Sequence, residues 1–576
     1  MHLSSANREA VMLRLRRYES LLTSNGISLE EAGSVSEKGS TARDTGDSED
    51  GQAVGHGEDP GFVDQQVPRR ARVLGNRPDS ELGDELPDPG EAEECEFGDE
   101  EEAPTPGSLV FGPQCSLSTL AANRPSIQQT FRLWQTFLDN FNPLTKILHA
   151  PTTQQLISTA VAGANGPDAN TEALLFAIYL CAVTTMTEQE CMDQLGEPKM
   201  NLFNRYSHAT KRALCNAQFL QSTDLVVLQA LTLYLLASRQ CIDDQSMWLL
   251  AGLAGRTAQV MGMHREQTLN KLPPFEAELR RRLWWQIILL DSQSASVSGT
   301  RLDATWVDTG DTKCPLNLSD SALSPYMREI PFEHQGPTEM LFCRVRFEVG
   351  ECMKQVRKVE RARKVSPSVP LAQAEQAIDS LEHKLDEHLF RRCDGSIPLH
   401  LLATGVGHSA ICSMRLSVRQ HLYVPAETKG VGKMSEAGRG ELFQLALRIL
   451  EYDNVAYSTK SLQPFLWYVT SNFPFQALIH VLTHLLHWAK GDEAEQGWAS
   501  INQVYGDRPD LIGDTKKPVS VAIGNLILKA WEKTAGDNDL RLLATTYPVA
   551  SDVVNKLRAR GLQTTVSDDV TMTGGV

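Results

Sequence analysis

The apolar positions between Asp224 and Gly299 repeat with the period of three successive helices. The first can begin at Asp224, because its carboxylate can accept hydrogen bonds from the free amides of a helix start. The second should end before Gly262, since glycine readily adopts the left-handed conformation that follows many helices. The third should begin near Phe275, after two prolines that suit a helix start but not its interior. Its apolar residues predict one buried stripe, formed by Leu279, Leu283, Ile287 and Leu290.

Helical periodicity continues on both sides of this stretch. The segment TEALLFAIYLCAVTTM is apolar almost all round, which predicts a helix that is buried on several sides. The proline-punctuated segment DTKCPLNLSDSALSP has no clear period, and we expect it to wrap the surface as an ordered loop. The sequence shows no convincing alternating strand pattern, so the predicted fold class is all-α.

Residues 26–125 differ in composition from the rest of the chain. They are rich in Gly, Ser, Pro, Asp and Glu and poor in aromatic residues, which predicts a disordered segment. The sequence between Asp79 and Glu102 is rich in acidic residues and contains no basic residue. Leu82, Leu86 and Phe97 are interspersed among the acidic residues. Such a pattern occurs in transcriptional activation segments, but a solubilising linker has the same composition.

A short basic helix is predicted within residues 1–25. Its apolar positions have the spacing of a coiled-coil seam, formed by Val11, Leu15, Tyr18 and Leu22. Two heptads are too few for a stable isolated coiled coil. The pattern therefore predicts either a dimerisation helix or a surface helix with a small apolar stripe.

The composition, net charge and motif content of the chain argue against several classes of protein. The 576-residue chain has no apolar run long enough for a membrane helix, so we expect no membrane partner. Its net charge of −17 gives no electrostatic footprint for nucleic acid. The 11 cysteines include no C-x-x-C pair, so the spacings of common zinc fingers are absent from this sequence. No nucleophile elbow or phosphate loop is present, so we expect neither an enzyme nor a cofactor site.

Two groups of side chains are candidates for binding. His480, His484 and His487 share one face of a predicted helix and could present imidazoles to a metal, but they lack the glutamate of H-E-x-x-H. A partly buried structural face is the simpler interpretation, and no metal site is predicted. A basic helix end could bind an anion or an importin, or could be a solvated surface; it contains Lys354, Arg357, Lys358, Arg361, Arg363 and Lys364.

A third group lies in the opening stretch. The run Arg280–Arg282 precedes Trp284 and Trp285, and the arginines could bind a phosphate or a carboxylate of a partner. The alternative, which we favour, pairs Glu278 with Arg282 at i, i+4 and places both tryptophans in the core.

The order of these motifs resembles the fungal-specific transcription factor domain, the middle homology region of zinc binuclear cluster regulators. The resemblance covers 127–325 well and rests on a series of short motifs: Leu228-Gln229-Ala230, Trp248, Ala258-Gln259, Gly262-Met263-His264-Arg265, Phe275-Glu276, Glu278-Leu279-Arg280-Arg281-Arg282, Trp284-Trp285 and Asp291. The segment DTKCPLNLSDSALSP is similar to the segment that follows in the family. In contrast, Gly299-Thr300-Arg301 stands where the family usually has Gly-Arg-Pro, and the six-cysteine zinc cluster is absent from residues 1–576.

The resemblance implies four regions: a coiled-coil-like helix at 1–25, the acidic segment at 26–125, a helical regulatory domain at 126–490, and a C-terminal helical extension and tail at 491–576. It also implies a nuclear regulator of a metabolic gene cluster that acts with the transcription machinery, and the form DTKCPLNLSDSAL is typical of regulators of secondary-metabolite clusters. Promoter DNA would be contacted through an upstream zinc cluster or through the partner subunit of a homo- or heterodimer, and zinc is expected only with such a cluster. Two alternatives stay open: an interaction protein that modulates a zinc-cluster regulator without binding DNA, and an enzyme or small-molecule carrier.

Overall fold

A computed structural model describes residues 107–111, 120–163, 166–298, 310–366, 370–420, 435–509, 511, 518–537 and 544–570. Within these residues every regular element is a helix, which confirms the predicted all-α class. The acidic stretch 79–102 lies outside them, as do the predicted dimerisation residues Val11, Leu15, Tyr18 and Leu22. The division into four regions therefore stays a prediction.

The helices before residue 299 pack around one apolar cluster. They are α1 (Ser108–Phe111), α2 (Ile127–Thr136), α3 (Asn142–Thr145), α4 (Ala150–Ala162), α5 (Ala169–Thr185), α6 (Glu188–Leu195), α7 (Lys199–Asn216), α8 (Leu225–Ala237), α9 (Asp244–Val260), α10 (Glu266–Leu269) and α11 (Pro274–Val297). Helix α5 lies at the centre, where its residues 171–183 are all buried and where it packs on α7 and α8. The prediction of a helix buried on several sides is therefore confirmed.

The ends of the three helices predicted first agree with the sequence signals. Asp224 caps α8, since its carboxylate accepts a hydrogen bond from the amide of Val226 at 2.8 Å. Gly262 follows α9 with a φ of 72°, a left-handed conformation that costs glycine little. Helix α11 begins at Pro274, one residue before the predicted start.

Helix α11 is buried over more of its circumference than the predicted stripe. The four stripe residues are buried, but the polar side chains of Glu278, Arg281, Arg282 and Gln286 are buried as well. Apolar periodicity could not predict the burial of these polar side chains, because charged residues on a helix usually indicate a solvent-exposed face. They require internal partners, since a charge buried without one destabilises the fold.

The second half of the described chain forms two further apolar clusters. Its helices are α12 (Leu341–Val365), α13 (Ala372–His388), α14 (Pro398–Gln420), α15 (Glu436–Ser458), α16 (Leu466–Ser471), α17 (Phe475–His487), α18 (Asp492–Asp507), α19 (Pro518–Asp537) and α20 (Pro548–Val570). One cluster is built mainly by α12, α13, α14 and α16, and the other mainly by α15 and α17–α20. Helices on both sides of residue 490 thus share one core.

Trp467 joins the two halves. Its ring stacks on Phe141 with 4.1 Å between centroids, and its indole N–H donates to the carbonyl of Asn140 at 3.1 Å. Phe141 belongs to a five-residue π-helix, Phe137–Phe141, between α2 and α3. The apolar ring and the polar N–H of one side chain are both satisfied across this contact.

Two segments are more buried than their sequences suggest. The segment 311–325 is an ordered loop, as predicted, but it does not lie wholly on the surface: Asp311 and Lys313 are exposed, whereas Thr312, Asn317 and Asp320 are buried. Helix α1, within the segment predicted to be disordered, packs the ring of Phe111 near Phe219 and Tyr234. In both cases the burial comes from contacts to residues that are distant along the chain.

None of the helices in the described part of the chain combines the length and apolar character that a membrane span requires.

Candidate functional site

The polar residues buried on α11 contact the loop 310–320. The central contact is the carboxylate of Asp320. Its Oδ1 accepts a hydrogen bond from Arg282 Nη1 at 2.8 Å, and its Oδ2 accepts from Lys146 Nζ at 3.0 Å. Oδ2 also accepts from the amide of Ala150 at 3.2 Å. We call Lys146, Glu278, Arg282, Asp320 and Glu339 the Asp320 network.

Arg282 connects three parts of the network. Its Nε donates to Glu278 Oε1 at 3.2 Å, which confirms the predicted i, i+4 pair, and its Nη2 donates to the carbonyl of Leu318 at 2.9 Å. The same Glu278 oxygen accepts from the amide of Leu316 at 3.1 Å. The guanidinium fork thus fixes the segment 316–320 on α11 through side-chain and backbone acceptors.

Lys146 reaches the network from the end of α3. It has a φ of 46°, uncommon for a residue other than glycine, and its side chain is 1% exposed. Its ammonium also lies 2.8 Å from Glu339 Oε2. Nearby, His149 Nε2 lies 2.9 Å from the backbone carbonyl of Asp320 and donates to it. The turn after α3 is therefore held to Asp320 by the ammonium of Lys146 and by an imidazole N–H of His149.

Burial and charge act in opposite directions on these groups. Burial alone raises the pKa of the Asp320 carboxyl, but Lys146 and Arg282 outweigh it and hold that pKa below its ordinary value. Burial lowers the pKa of Arg282, and Glu278 and Asp320 more than compensate. For Glu278 burial prevails and raises the pKa, although Arg282 and Arg281 oppose the rise. Asp320 is therefore the acid whose ionised form the network stabilises most clearly.

A second buried pair lies beside the network. Arg281 Nη2 donates to Glu266 Oε1 at 2.7 Å, and Glu266 Oε2 accepts from the amide of Lys313 at 3.1 Å. The carbonyl of Lys313 accepts from the indole N–H of Trp285 at 2.9 Å. Trp284 and Trp285 are 2% and 0% exposed, as the structural interpretation of the Arg–Trp run predicted.

These contacts decide what the arrangement can do chemically. The oxygens of Asp320 are occupied by cations and an amide, and the guanidinium of Arg282 is enclosed by protein acceptors. A phosphate that approached Arg282 would have to displace Asp320 or Glu278 and leave a buried carboxylate without its charge partner. The run Arg280–Arg282 is therefore a structural element, and the network holds α3, α11 and the segment 316–320 together.

The candidate histidines do not converge on a metal. His484 Nε2 lies 3.0 Å from Glu493 Oε2, and its ring stacks on Phe443 with 4.2 Å between centroids. His480 Nδ1 accepts from Gln420 Nε2 at 3.2 Å, and burial followed by the charge of His484 lowers the pKa of His480 to about 4. No group of three or more His, Cys, Asp or Glu side chains in the described residues is arranged to hold a metal ion.

The basic end of α12 is engaged in part with the protein. Lys354 Nζ lies 2.8 Å from Glu351 and 4.4 Å from the centroid of the Trp285 ring, a cation–π contact. Arg357 is buried, whereas Lys358 is exposed. This surface is therefore not a uniformly solvated face, and its binding of an anion or an importin stays a prediction.

Sequence reasoning missed Lys146, His149, Glu266, Asp320 and Glu339 as members of the site. Asp320 lies 174 residues from Lys146 along the chain, and no local period connects the two. Two local signals exist: FRLWQTFLDNFNPLTKILHAPT, which contains Lys146 and His149, and DTKCPLNLSDSALSP, which contains Asp320, are both similar to family segments, but the resemblance assigns these side chains no role.

Residues 134–335 match the family model described as the fungal-specific transcription factor domain. The aurofusarin cluster transcription factor aurR2 of Gibberella zeae is 38% identical over 501 residues, which cover 86% of this chain and 72% of the relative. The transcriptional regulator AacuB of Aspergillus aculeatus is 32% identical over 80% of this chain and 62% of its own length. The pyriculol/pyriculariol biosynthesis cluster transcription factor 1 of Pyricularia oryzae is 30% identical over 74% of this chain and 58% of its own length.

Replacement of Asp320 by Asn tests the network. Asp320→Asn keeps the size of the side chain but leaves Lys146 and Arg282 without their shared charge, so we expect the free energy of unfolding to fall by about 3–5 kcal/mol. The matched control is Asp552→Asn, which removes an exposed i, i+4 partner of Lys556 and should cost about 0–1 kcal/mol. Urea unfolding of both variants measures the difference, and equal losses would contradict a central role for Asp320.

His480 predicts a pH dependence of stability. Above the unfolded-state pKa of about 6.5, His480 is neutral in both states; as the pH falls towards 4, the unfolded chain binds a proton and the folded chain does not. Stability should therefore decrease through this window. His480 is only partly buried, so we expect a moderate effect. Between pH 7 and pH 5, the free energy of unfolding of His480→Gln should fall by about 1 kcal/mol less than that of the unsubstituted chain, as measured by urea unfolding. The exposed His383→Gln variant is the control and should behave as the unsubstituted chain.

Proposed function

Because the chain belongs to the family of fungal-specific transcription factor domain proteins, we propose that it regulates the transcription of a metabolic gene cluster in the nucleus. The observation that carries this proposal is the 38% identity to a cluster transcription factor over 86% of the chain. A second relative is also named for a biosynthesis cluster. The proposal assigns no catalytic step to this chain.

In the proposed mechanism, separate parts of the chain have separate roles. The helical region provides the regulatory domain, in which Glu278 and Arg282 of the family-like motifs belong to the Asp320 network. The helix with Val11, Leu15, Tyr18 and Leu22 forms a homo- or heterodimer, and the acidic segment with Leu82, Leu86 and Phe97 contacts the transcription machinery.

DNA contact is assigned to residues other than 1–576. The sequence of these residues contains no C-x-x-C pair and carries a net charge of −17, so it offers neither a zinc cluster nor a broad basic surface. Promoter DNA would be read by a zinc cluster elsewhere on the same protein or by a partner subunit. Zinc belongs to this proposal only as part of such a cluster.

Disruption of the gene tests the regulatory role. We expect the transcripts of a contiguous set of biosynthetic genes to change together, because a cluster regulator acts on neighbouring promoters. RNA sequencing of the disrupted strain and of a strain with the gene restored measures the change. A transcriptome in which no contiguous set responds would overturn the proposal, whereas a fall or a rise of such a set distinguishes activation from repression.

A gel-shift experiment tests the assignment of DNA contact. Purified residues 1–576, without zinc, should leave the promoters of the responding genes unshifted at physiological salt, where phosphate contacts by basic side chains normally supply affinity. Addition of the zinc-cluster partner or of the full-length protein should produce the shift. A specific shift by residues 1–576 alone would show that this part of the protein reads DNA itself.

A further inference from the structure

A cleft of about 650 Å³ lies beside the Asp320 network, between the segment 310–314 and helices α12 and α13. Helix α12 lines it with Arg344, Glu348 and Glu351, and α13 lines it with Ser380, Leu381 and Lys384. These residues recur at helical spacing, so each helix presents one face to the cleft. The volume lies within the range of about 300–1,000 Å³ that is typical of small-molecule sites.

The walls of the cleft are held in place before any ligand binds. The hydroxyl of Thr312 donates to the carbonyl of Met263 at 2.6 Å, and the amide of Asp311 donates to the carbonyl of His264 at 3.1 Å. Lys384 Nζ lies 2.6 Å from Glu348 Oε2, so an ion pair connects α13 to α12. A preformed cleft has a smaller ordering cost on binding than one that must assemble around its ligand.

The charges of the cleft leave one cation available. Four basic and three acidic side chains line it. Glu348 pairs with Arg344 and Lys384, Glu351 pairs with Lys354, and Asp311 Oδ1 accepts from the backbone amide of Glu266. Lys313 is exposed, and its ammonium forms no ion pair within 4 Å among the residues that the structure describes. It is therefore the cation that a ligand can reach without breaking an existing pair.

The remaining wall is apolar. Leu381 is buried beneath the cleft, and Ala377 adds a methyl group from the same helix. Burial raises the pKa of Cys314 to about 12 and that of Cys352 to about 11, so both thiols are neutral at pH 7 and offer polarizable apolar surface.

We propose that this cleft binds a small organic anion, a molecule with one acidic group on an apolar body. The acidic group pairs with Lys313, and the body packs on Leu381 and the Cys352 thiol. A neutral ligand would gain nothing from Lys313, and a second negative charge on the ligand would find no further cation without an ion pair among the described residues that line the cleft. Binding of such an anion does not depend on the proposed function, although in a transcriptional regulator it would make the molecule an effector.

The test uses two probes that differ in one charged group. The first, 8-anilinonaphthalene-1-sulfonate, has one sulfonate on an aromatic body, and the second, N-phenyl-1-naphthylamine, has the same body without the sulfonate. Both are titrated by fluorescence against purified residues 1–576. We expect the sulfonate probe to bind saturably and more tightly than its neutral analogue.

Three variants localise that binding. Lys313→Gln should weaken the sulfonate probe about fivefold, the size expected for loss of an exposed ion pair, and should leave the neutral probe unchanged. Ser380→Trp places a large ring at an exposed cleft position and should abolish saturable binding of both probes. Lys358→Gln, on α12 but outside the cleft lining, is the charge-matched control and should change neither.

The outcomes separate the cleft from other surfaces. Retention of the sulfonate site in Ser380→Trp, or equal weakening by Lys313→Gln and Lys358→Gln, would overturn the proposal, because the probe would then bind elsewhere or only through general charge. Far-UV circular dichroism verifies that each variant is folded, and if Ser380→Trp does not fold, Ala377→Phe blocks the cleft instead. No DNA or transcription enters the measurement, so its failure is distinct from a failure of the proposed function.

Discussion

The shared carboxylate of Asp320 is the interaction on which the arrangement of the first half depends. It receives Lys146 from the turn after α3 and Arg282 from the middle of α11, and both cations are almost completely withdrawn from water. Removing these charges from water is costly, and that cost is offset only when all partners are in place. The three segments therefore hold one another in place, because loss of any one partner would leave a buried charge without its pair.

The same constraint shapes the cleft between α12 and α13. The segment 310–314 that forms one of its walls continues into the residues that Arg282 and Glu278 bind, and Glu266 holds the amide of Lys313. A ligand that contacts Lys313 would thus touch a segment whose position the buried charges determine. The proposed cleft and the Asp320 network therefore share one segment of the chain.

Local signals in the sequence were sufficient for the helices but not for the site. Asp224, Gly262 and the proline pair before Phe275 mark helix ends through backbone chemistry that acts within a few residues, and the structure places the ends there. The burial of Asp320 could not be foreseen, because it depends on Arg282 of α11 and on Lys146 rather than on any period of the loop itself. The pair of Lys146 with Asp320 has the same cause, since composition and spacing carry no record of contacts between distant segments.

The run Arg280–Arg282 shows why burial has to be known before a charged motif is interpreted. From the sequence alone, three arginines before two tryptophans allow both a phosphate site and a structural role, and we favour the structural role on general grounds. Each of the three has its own glutamate partner, namely Glu276 for Arg280, Glu266 for Arg281 and Glu278 for Arg282. Arg281 and Arg282 donate to buried acceptors, so neither can bind a ligand without leaving one of those acceptors unpaired. In this chain the run therefore holds the helices together, and recognition of an anion has to use cations, such as Lys313, that form no ion pair among the described residues.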